Sequence, residues 1–169
     1  DIHAGPIPGF ISTFSPAMIV CDLITAAILF AQAAVFRSRA LTMLASGFVF
    51  TGLLFIPYAL TYPGAFSETG LLGAKVNTTG WIAVCWRFAA PAAVISYAWL
   101  KQADAAAGPV AERPHARILL AMLCATALAV LATLLTTLGH DLLPPFFVNQ
   151  SDVIPSMLVS VNVVAISLV

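Results

Sequence analysis

Two charged residues lie alone inside long apolar stretches of the sequence, Asp22 in residues 16–36 and Arg87 in residues 80–100. Each stretch is long enough for an α-helix to cross the ~30 Å of hydrocarbon in a bilayer. A charged side chain at the centre of a bilayer costs at least ~2.5–3.5 kcal/mol on insertion scales, so such a residue usually has a partner or a function. Because the two charges are opposite and lie at similar depths, we predict that Asp22 and Arg87 form an ion pair between two membrane-spanning helices.

Polar and aromatic side chains recur around these two charges when the apolar stretches are read with helical periodicity. An acid, a base and several aromatic groups at one depth are typical of a ligand pocket, which we place in the outer part of the membrane. The predicted ligand-binding residues are Asp22, Thr25, Tyr58, Tyr62, Trp86, Arg87 and Pro91. The alternative is a purely structural ion pair that fixes the register of two helices without binding a ligand.

Small and hydroxyl-bearing residues also align along the apolar stretches. Gly47 and Thr51 share a helical face with Tyr58, and Thr126 shares one with Thr133. Membrane helices place such residues against one another, because lipid gives no hydrophobic drive for helix association. We interpret these positions as helix-packing residues.

The residue types required for most enzymes and metal sites are missing from the apolar stretches. His3, His115 and His140 fall outside these stretches or at their edges, and no spacing of His or Cys is typical of a metal site. The three cysteines lie within apolar stretches, which predicts small hydrophobic side chains and no disulfide framework; a shared thiol site of Cys21 and Cys85, which lie at similar depths, is the less favoured alternative. No phosphate-binding loop or dinucleotide motif is present, so we predict no metal site and no enzymatic activity in this chain. The sequence does not identify a cofactor.

The composition is that of an integral membrane protein. Hydrophobic residues make up 61% of the chain and charged residues only 8%, with a formal net charge of zero. A soluble domain carries roughly 25% charged residues, and the mean hydropathy here is +1.01. The balanced charge also excludes a nucleic-acid-binding surface. The lipid bilayer is therefore the predicted environment.

The apolar stretches predict an all-α polytopic transmembrane helix bundle of at least five spans. The predicted spans are about 16–36, 40–62, 80–100, 118–139 and 155–169. The last stretch is too short to cross a membrane, so we expect the chain to end within a span and the natural protein to continue. Residues 1–15 are predicted to form a periplasmic N-terminal segment, and residues 16–169 the transmembrane domain.

Orientation follows from the basic residues of the loops, because Lys and Arg are enriched on the cytoplasmic side. Arg37 and Arg39 follow the first stretch, and Lys101 follows the third, together with two further arginines. On the opposite side the loops hold only Lys75. We therefore predict a periplasmic N-terminus.

Several strings of the sequence resemble a known family. These are DLITAAILFAQ (22–32), RSRAL (37–41), PYALTYPGAF (57–66) with TGLLGA (69–74), and WRFAAPAAVISYAWLK (86–101). They are similar to the fourth type of the bacterial membrane-associated sensor domains, the MASE group. The motif positions that correspond to this resemblance are Asp22, Gln32, Pro57, Tyr58, Pro63, Gly64, Trp86, Arg87 and Pro91.

The resemblance implies a sensory input domain in the bacterial inner membrane. In that family the domain precedes a cytoplasmic output module, typically a diguanylate cyclase and sometimes a histidine kinase. We therefore expect a small-molecule ligand or a membrane state as the signal, a homodimer as the working unit, and a catalytic output domain beyond residue 169. The alternative is a transporter or channel subunit with the layer around Asp22 and Arg87 on a solute or proton path.

Overall fold

The computed structural model describes residues 10–62, 76–107 and 114–139, which form four α-helices and no strand. The helices are α1 (Phe10–Phe36), α2 (Arg39–Thr61), α3 (Val76–Ala107) and α4 (Pro114–Leu138). All four are long and apolar enough to cross a membrane. The predicted all-α transmembrane class is therefore confirmed.

The helices agree with the first four predicted spans but extend past several of their ends. α1 begins at Phe10 instead of residue 16, and α3 continues to Ala107 instead of ending at residue 100. The extra residues of α3, KQADAAA, are mostly good helix formers, and nothing in them stops the helix. The fifth predicted span lies outside the described residues, and the orientation in the membrane stays a prediction.

A turn of only two residues joins α1 to α2. Arg37 has a positive φ of 52°, the left-handed conformation that commonly ends a helix and that glycine adopts most easily. Ser38 follows in an extended conformation as the N-cap of α2, and its side-chain oxygen accepts a hydrogen bond from the Leu41 N–H. Because the turn is so short, α1 and α2 form an antiparallel hairpin.

α2 is the central helix of the described bundle. It packs against α1, α3 and α4, whereas α1 and α3 do not pack against each other. Within the apolar segment of each helix, half of the residues of α2 are buried. The buried share is 17% in α1 and 11% in both α3 and α4. The outer faces of these three helices carry exposed large side chains such as Ile28, Trp99 and Leu131, as expected for surfaces in lipid.

Small residues set the spacing between α2 and its neighbours. Gly47 of α2 lies so close to Ala93 of α3 that a Cβ atom at position 47 would overlap the Ala93 side chain. The core between α1, α2 and α4 is likewise built around small side chains, Ala26, Ala45 and Ala125. This close approach is how helices gain van der Waals contact in the absence of a hydrophobic drive.

Candidate functional site

A hydrogen bond between side chains joins α1 to α2 inside the apolar region. The Thr51 hydroxyl of α2 donates to the Asp22 carboxylate of α1 over 2.9 Å. Thr51 is only 5% exposed, and its oxygen is also 3.1 Å from the Phe48 carbonyl of its own helix. The acid predicted to carry function is therefore turned toward the interior of the bundle and has a polar partner there.

Gly52 makes this contact possible. A Cβ atom at position 52 would lie 3.1 Å from the Asp22 Cβ, tighter than an ordinary van der Waals contact. The glycine thus lets α1 approach α2 at the height where the carboxylate meets the Thr51 hydroxyl. The hairpin arrangement of α1 and α2 places these residues opposite each other, since both lie about the same number of turns from the connection at Arg37 and Ser38.

An aromatic cluster begins one helical turn beyond Thr51 on α2 and reaches α3. The Phe55 ring of α2 packs edge-on against the Trp86 ring of α3, with centroids 4.9 Å apart. Phe55 also contacts Tyr58 at 6.0 Å, and Tyr58 contacts Tyr62 at 5.9 Å. The structure therefore brings together three of the predicted ligand-binding residues, Tyr58, Tyr62 and Trp86, through Phe55, which sequence reasoning missed.

Asp22 and Arg87 lie at similar heights but on different sides of α2. Trp86 packs beside Phe55, and Asp22 lies beside Thr51 and Gly52, so Arg87 is within about one helical turn of the height of Asp22. The helices that carry the two charges do not pack against each other. The partner of the Asp22 carboxylate is Thr51, and Arg87 is exposed on α3. The Asp22–Arg87 ion pair stays a prediction.

The two remaining predicted ligand-binding residues, Thr25 and Pro91, take no part in the Asp22–Thr51 hydrogen bond. The Thr25 hydroxyl donates to the Cys21 carbonyl of its own helix over 2.8 Å, which satisfies it without a partner on another helix. Pro91 is half-buried inside α3. Because proline has no N–H, Pro91 cannot donate the usual intrahelical hydrogen bond at its own position.

A second polar contact, which the sequence did not predict, joins α3 to the start of α2. The Asp104 carboxylate accepts hydrogen bonds from the Arg39 N–H at 2.9 Å, the Ala40 N–H at 3.2 Å and the Ser38 hydroxyl at 3.3 Å. Its other oxygen forms a salt bridge of 2.7 Å with the Arg39 side chain. We call these four contacts the Asp104 clasp.

The clasp supplies what the first turn of α2 lacks. The N–H groups at the start of a helix have no partner within the helix, and a negative charge there is stabilising. The first turn of α2 contains no acidic residue, so a carboxylate from α3 takes that role. The absence of an acid from the first turn of α2 is a signal in the sequence, but Asp104 lies beyond the predicted span 80–100 and is not among the predicted site residues.

Within the described part of the chain, no group of three or more His, Cys, Asp or Glu side chains is close enough to hold a metal ion. The polar atoms of the site are a carboxylate, hydroxyls and phenols, next to aromatic rings. Such groups can hydrogen-bond a small polar molecule and cover its apolar part.

The family model described as MASE4, membrane-associated sensor, integral membrane domain, matches residues 6–168. No curated protein and no solved structure matches the chain.

Proposed function

The chain belongs to the MASE4 family of membrane-associated sensor domains, and we propose that it detects a small ligand or a membrane state and passes this signal to a cytoplasmic output domain. The output domain in this proposal is a diguanylate cyclase or a histidine kinase. The protein lies in the bacterial inner membrane as a homodimer, because such output enzymes work in pairs. The family match carries the sensory function, and the Asp22–Thr51 contact supports the location of the sensing layer.

The sensing layer consists of the Asp22–Thr51 contact and the neighbouring aromatic rings of Tyr58 and Trp86, together with Arg87 at similar height. A polar contact in an apolar bundle is easily biased, because a ligand that offers a better partner to the carboxylate competes directly with the hydroxyl. A ligand shifts the equilibrium between two packings only by its differential affinity for them. Exchange of the Thr51 hydroxyl for a ligand group is one source of such a difference.

The test replaces the hydroxyl without changing the shape of the side chain. Thr51→Val is introduced into the full-length signalling protein, and the output activity is measured in membranes. Hydrogen bonds between membrane helices contribute about 0.6–2 kcal/mol. The balance of active and inactive states should therefore change by about threefold to thirtyfold if the contact forms in one state only.

Thr126→Val is the matched control, because the Thr126 hydroxyl donates to the Met122 carbonyl of its own helix α4 and Thr126 is not among the predicted ligand-binding residues. Its output should equal that of the unchanged protein. Asp22→Asn should shift the output in the same direction as Thr51→Val, since it weakens the same contact. Wild-type output for both Asp22→Asn and Thr51→Val, at normal abundance in the membrane, would refute the sensing role of this layer.

A further inference from the structure

The basic end of the bundle is the end at which α1 turns into α2 and α3 terminates. Asp104 lies there, beyond the apolar stretch of α3 and three residues before the helix ends at Ala107. Its side chain is only 19% exposed, although it belongs to a polar segment. A carboxylate this well covered at a helix end is held by specific contacts.

The contacts of Asp104 are concentrated on a single structural element, the α1–α2 turn with the first turn of α2. The carboxylate receives two backbone N–H groups and the Ser38 hydroxyl, in addition to the Arg39 side chain. These four contacts share one side chain, so they form and break together. A movement of α3 away from the start of α2 lengthens all four contacts together, and the longest of them, at 3.2 and 3.3 Å, reach the limit of hydrogen bonding first.

Away from the basic end, the α2–α3 interface includes close apolar packing and a hydrogen bond from a hydroxyl. Gly47 and Ala93 meet through small groups, and the rings of Phe55 and Trp86 pack edge to face. At the opposite end the Thr79 hydroxyl donates to the Thr61 carbonyl over 2.9 Å. The charged contact with several hydrogen bonds lies at the basic end.

We propose that the Asp104 clasp is a conformational latch, which holds the end of α3 against the α1–α2 turn in one signalling state and opens in the other. This rests on the proposed sensory function, because the basic end is the predicted cytoplasmic side, from which the signal must leave. Asp104 is a positioning residue: it acts by capping α2 and contacts no ligand. A change in the packing of α2 against α3 near the sensing layer moves the end of α3 and thereby opens or closes the latch.

The experiment measures opening directly and output separately. A cysteine is placed at position 40 in a full-length protein whose native cysteines are replaced by alanine. Ala40 is 1% exposed and its N–H bonds to Asp104, so a thiol there is protected while the latch is closed. The rate of maleimide labelling in membranes reports opening, and the activity of the output domain is assayed in the same membranes.

Asp104→Ala should raise the labelling rate about tenfold to hundredfold, the range that hydrogen bonds to a charged group contribute to an equilibrium. Asp104→Asn keeps one acceptor oxygen and should give an intermediate rate in a protein that folds. Gln102→Ala, on the exposed side of the same turn, is the matched control and should leave the rate unchanged.

Arg39→Gln separates capping from simple ion pairing, because it removes the salt bridge and keeps the backbone hydrogen bonds. The Arg39 side chain is 37% exposed, and a partly exposed ion pair contributes little, so the labelling rate should rise by less than about fivefold. A rate as high as that of Asp104→Ala would show that ion pairing, not capping, holds the helix end, and would overturn this assignment.

Two outcomes overturn the latch itself. Labelling that does not respond to Asp104→Ala means that α3 is held by other contacts. Faster labelling with unchanged output means that the clasp opens without signalling. If Asp104→Ala raises the labelling rate and changes the output, the latch is supported. If Asp22→Asn and Thr51→Val leave the output unchanged in the same protein, the sensing layer alone is refuted.

Discussion

Replacing Gly47 by alanine tests how tightly α2 and α3 are packed. The new Cβ would overlap the Ala93 Cβ, which cannot move away because it is fixed to the backbone, and would lie 3.8 Å from the Ala93 Cα. Carbon atoms pack at about 3.5–4.0 Å, so the two helices must separate by about 1 Å or more at this height.

The cost follows from the contacts on either side of Gly47. A gap of this size forfeits about a quarter to a half of the van der Waals attraction of the facing atoms. It also disturbs the Phe55–Trp86 packing in the same interface. Overpacking in a close-packed interior typically costs about 1–3 kcal/mol, and we expect Gly47→Ala to lower the free energy of unfolding by that amount.

The assay is denaturant titration of the purified protein in detergent, with Ala93→Gly as the compensating change. The double variant moves one methyl group from α3 to α2 and removes the overlap. It should recover at least about 1 kcal/mol relative to the sum of the single changes. Gly52→Ala should lower the free energy of unfolding by less than Gly47→Ala. Its new Cβ would lie 3.1 Å from the Asp22 Cβ, so the helices need a smaller shift to accommodate it. The proposed packing would be refuted if the effects of Gly47→Ala and Ala93→Gly on the free energy of unfolding simply add in the double variant. A larger loss of stability for Gly52→Ala than for Gly47→Ala would also refute it.

Two further predictions use the same titration. Arg37→Gly should raise the free energy of unfolding by about 0.5–1 kcal/mol, because Arg37 has a φ of 52° that glycine adopts without strain; an equal gain from Arg37→Ala would contradict this cause. Asp22→Asn and Arg87→Gln should be additive within about 0.5 kcal/mol, because α1 and α3 do not pack against each other; a clear coupling between them would instead support the ion pair predicted from the sequence.

Hydropathy was enough to locate the four described helices, since a span needs only length and apolar composition. It did not locate the ends of α3, because the segment from Lys101 to Ala107 is polar and still helical. Outside hydrocarbon, helix ends depend on capping and propensity. The predicted span 80–100 ends before this segment, so hydropathy alone does not identify Asp104.

Side-chain partners were harder to predict than helices. Charge complementarity predicts Arg87 as the partner of Asp22, and that ion pair stays a prediction; the hydrogen bond of the Asp22 carboxylate in the structure is to Thr51. Helical periodicity fixes which residues share a face of one helix. It does not fix which helices are neighbours, and the central position of α2 decides that here.

The turn of two residues between α1 and α2 also bears on how the protein is made. During synthesis the segment with Asp22 emerges before Thr51, and an unpaired acid in the bilayer is costly. With so short a connection, the two helices can leave the translocation machinery as one unit, with the carboxylate already opposite its hydroxyl partner. Lengthening this connection with glycine and serine residues should therefore lower the efficiency of membrane insertion before it affects the finished protein.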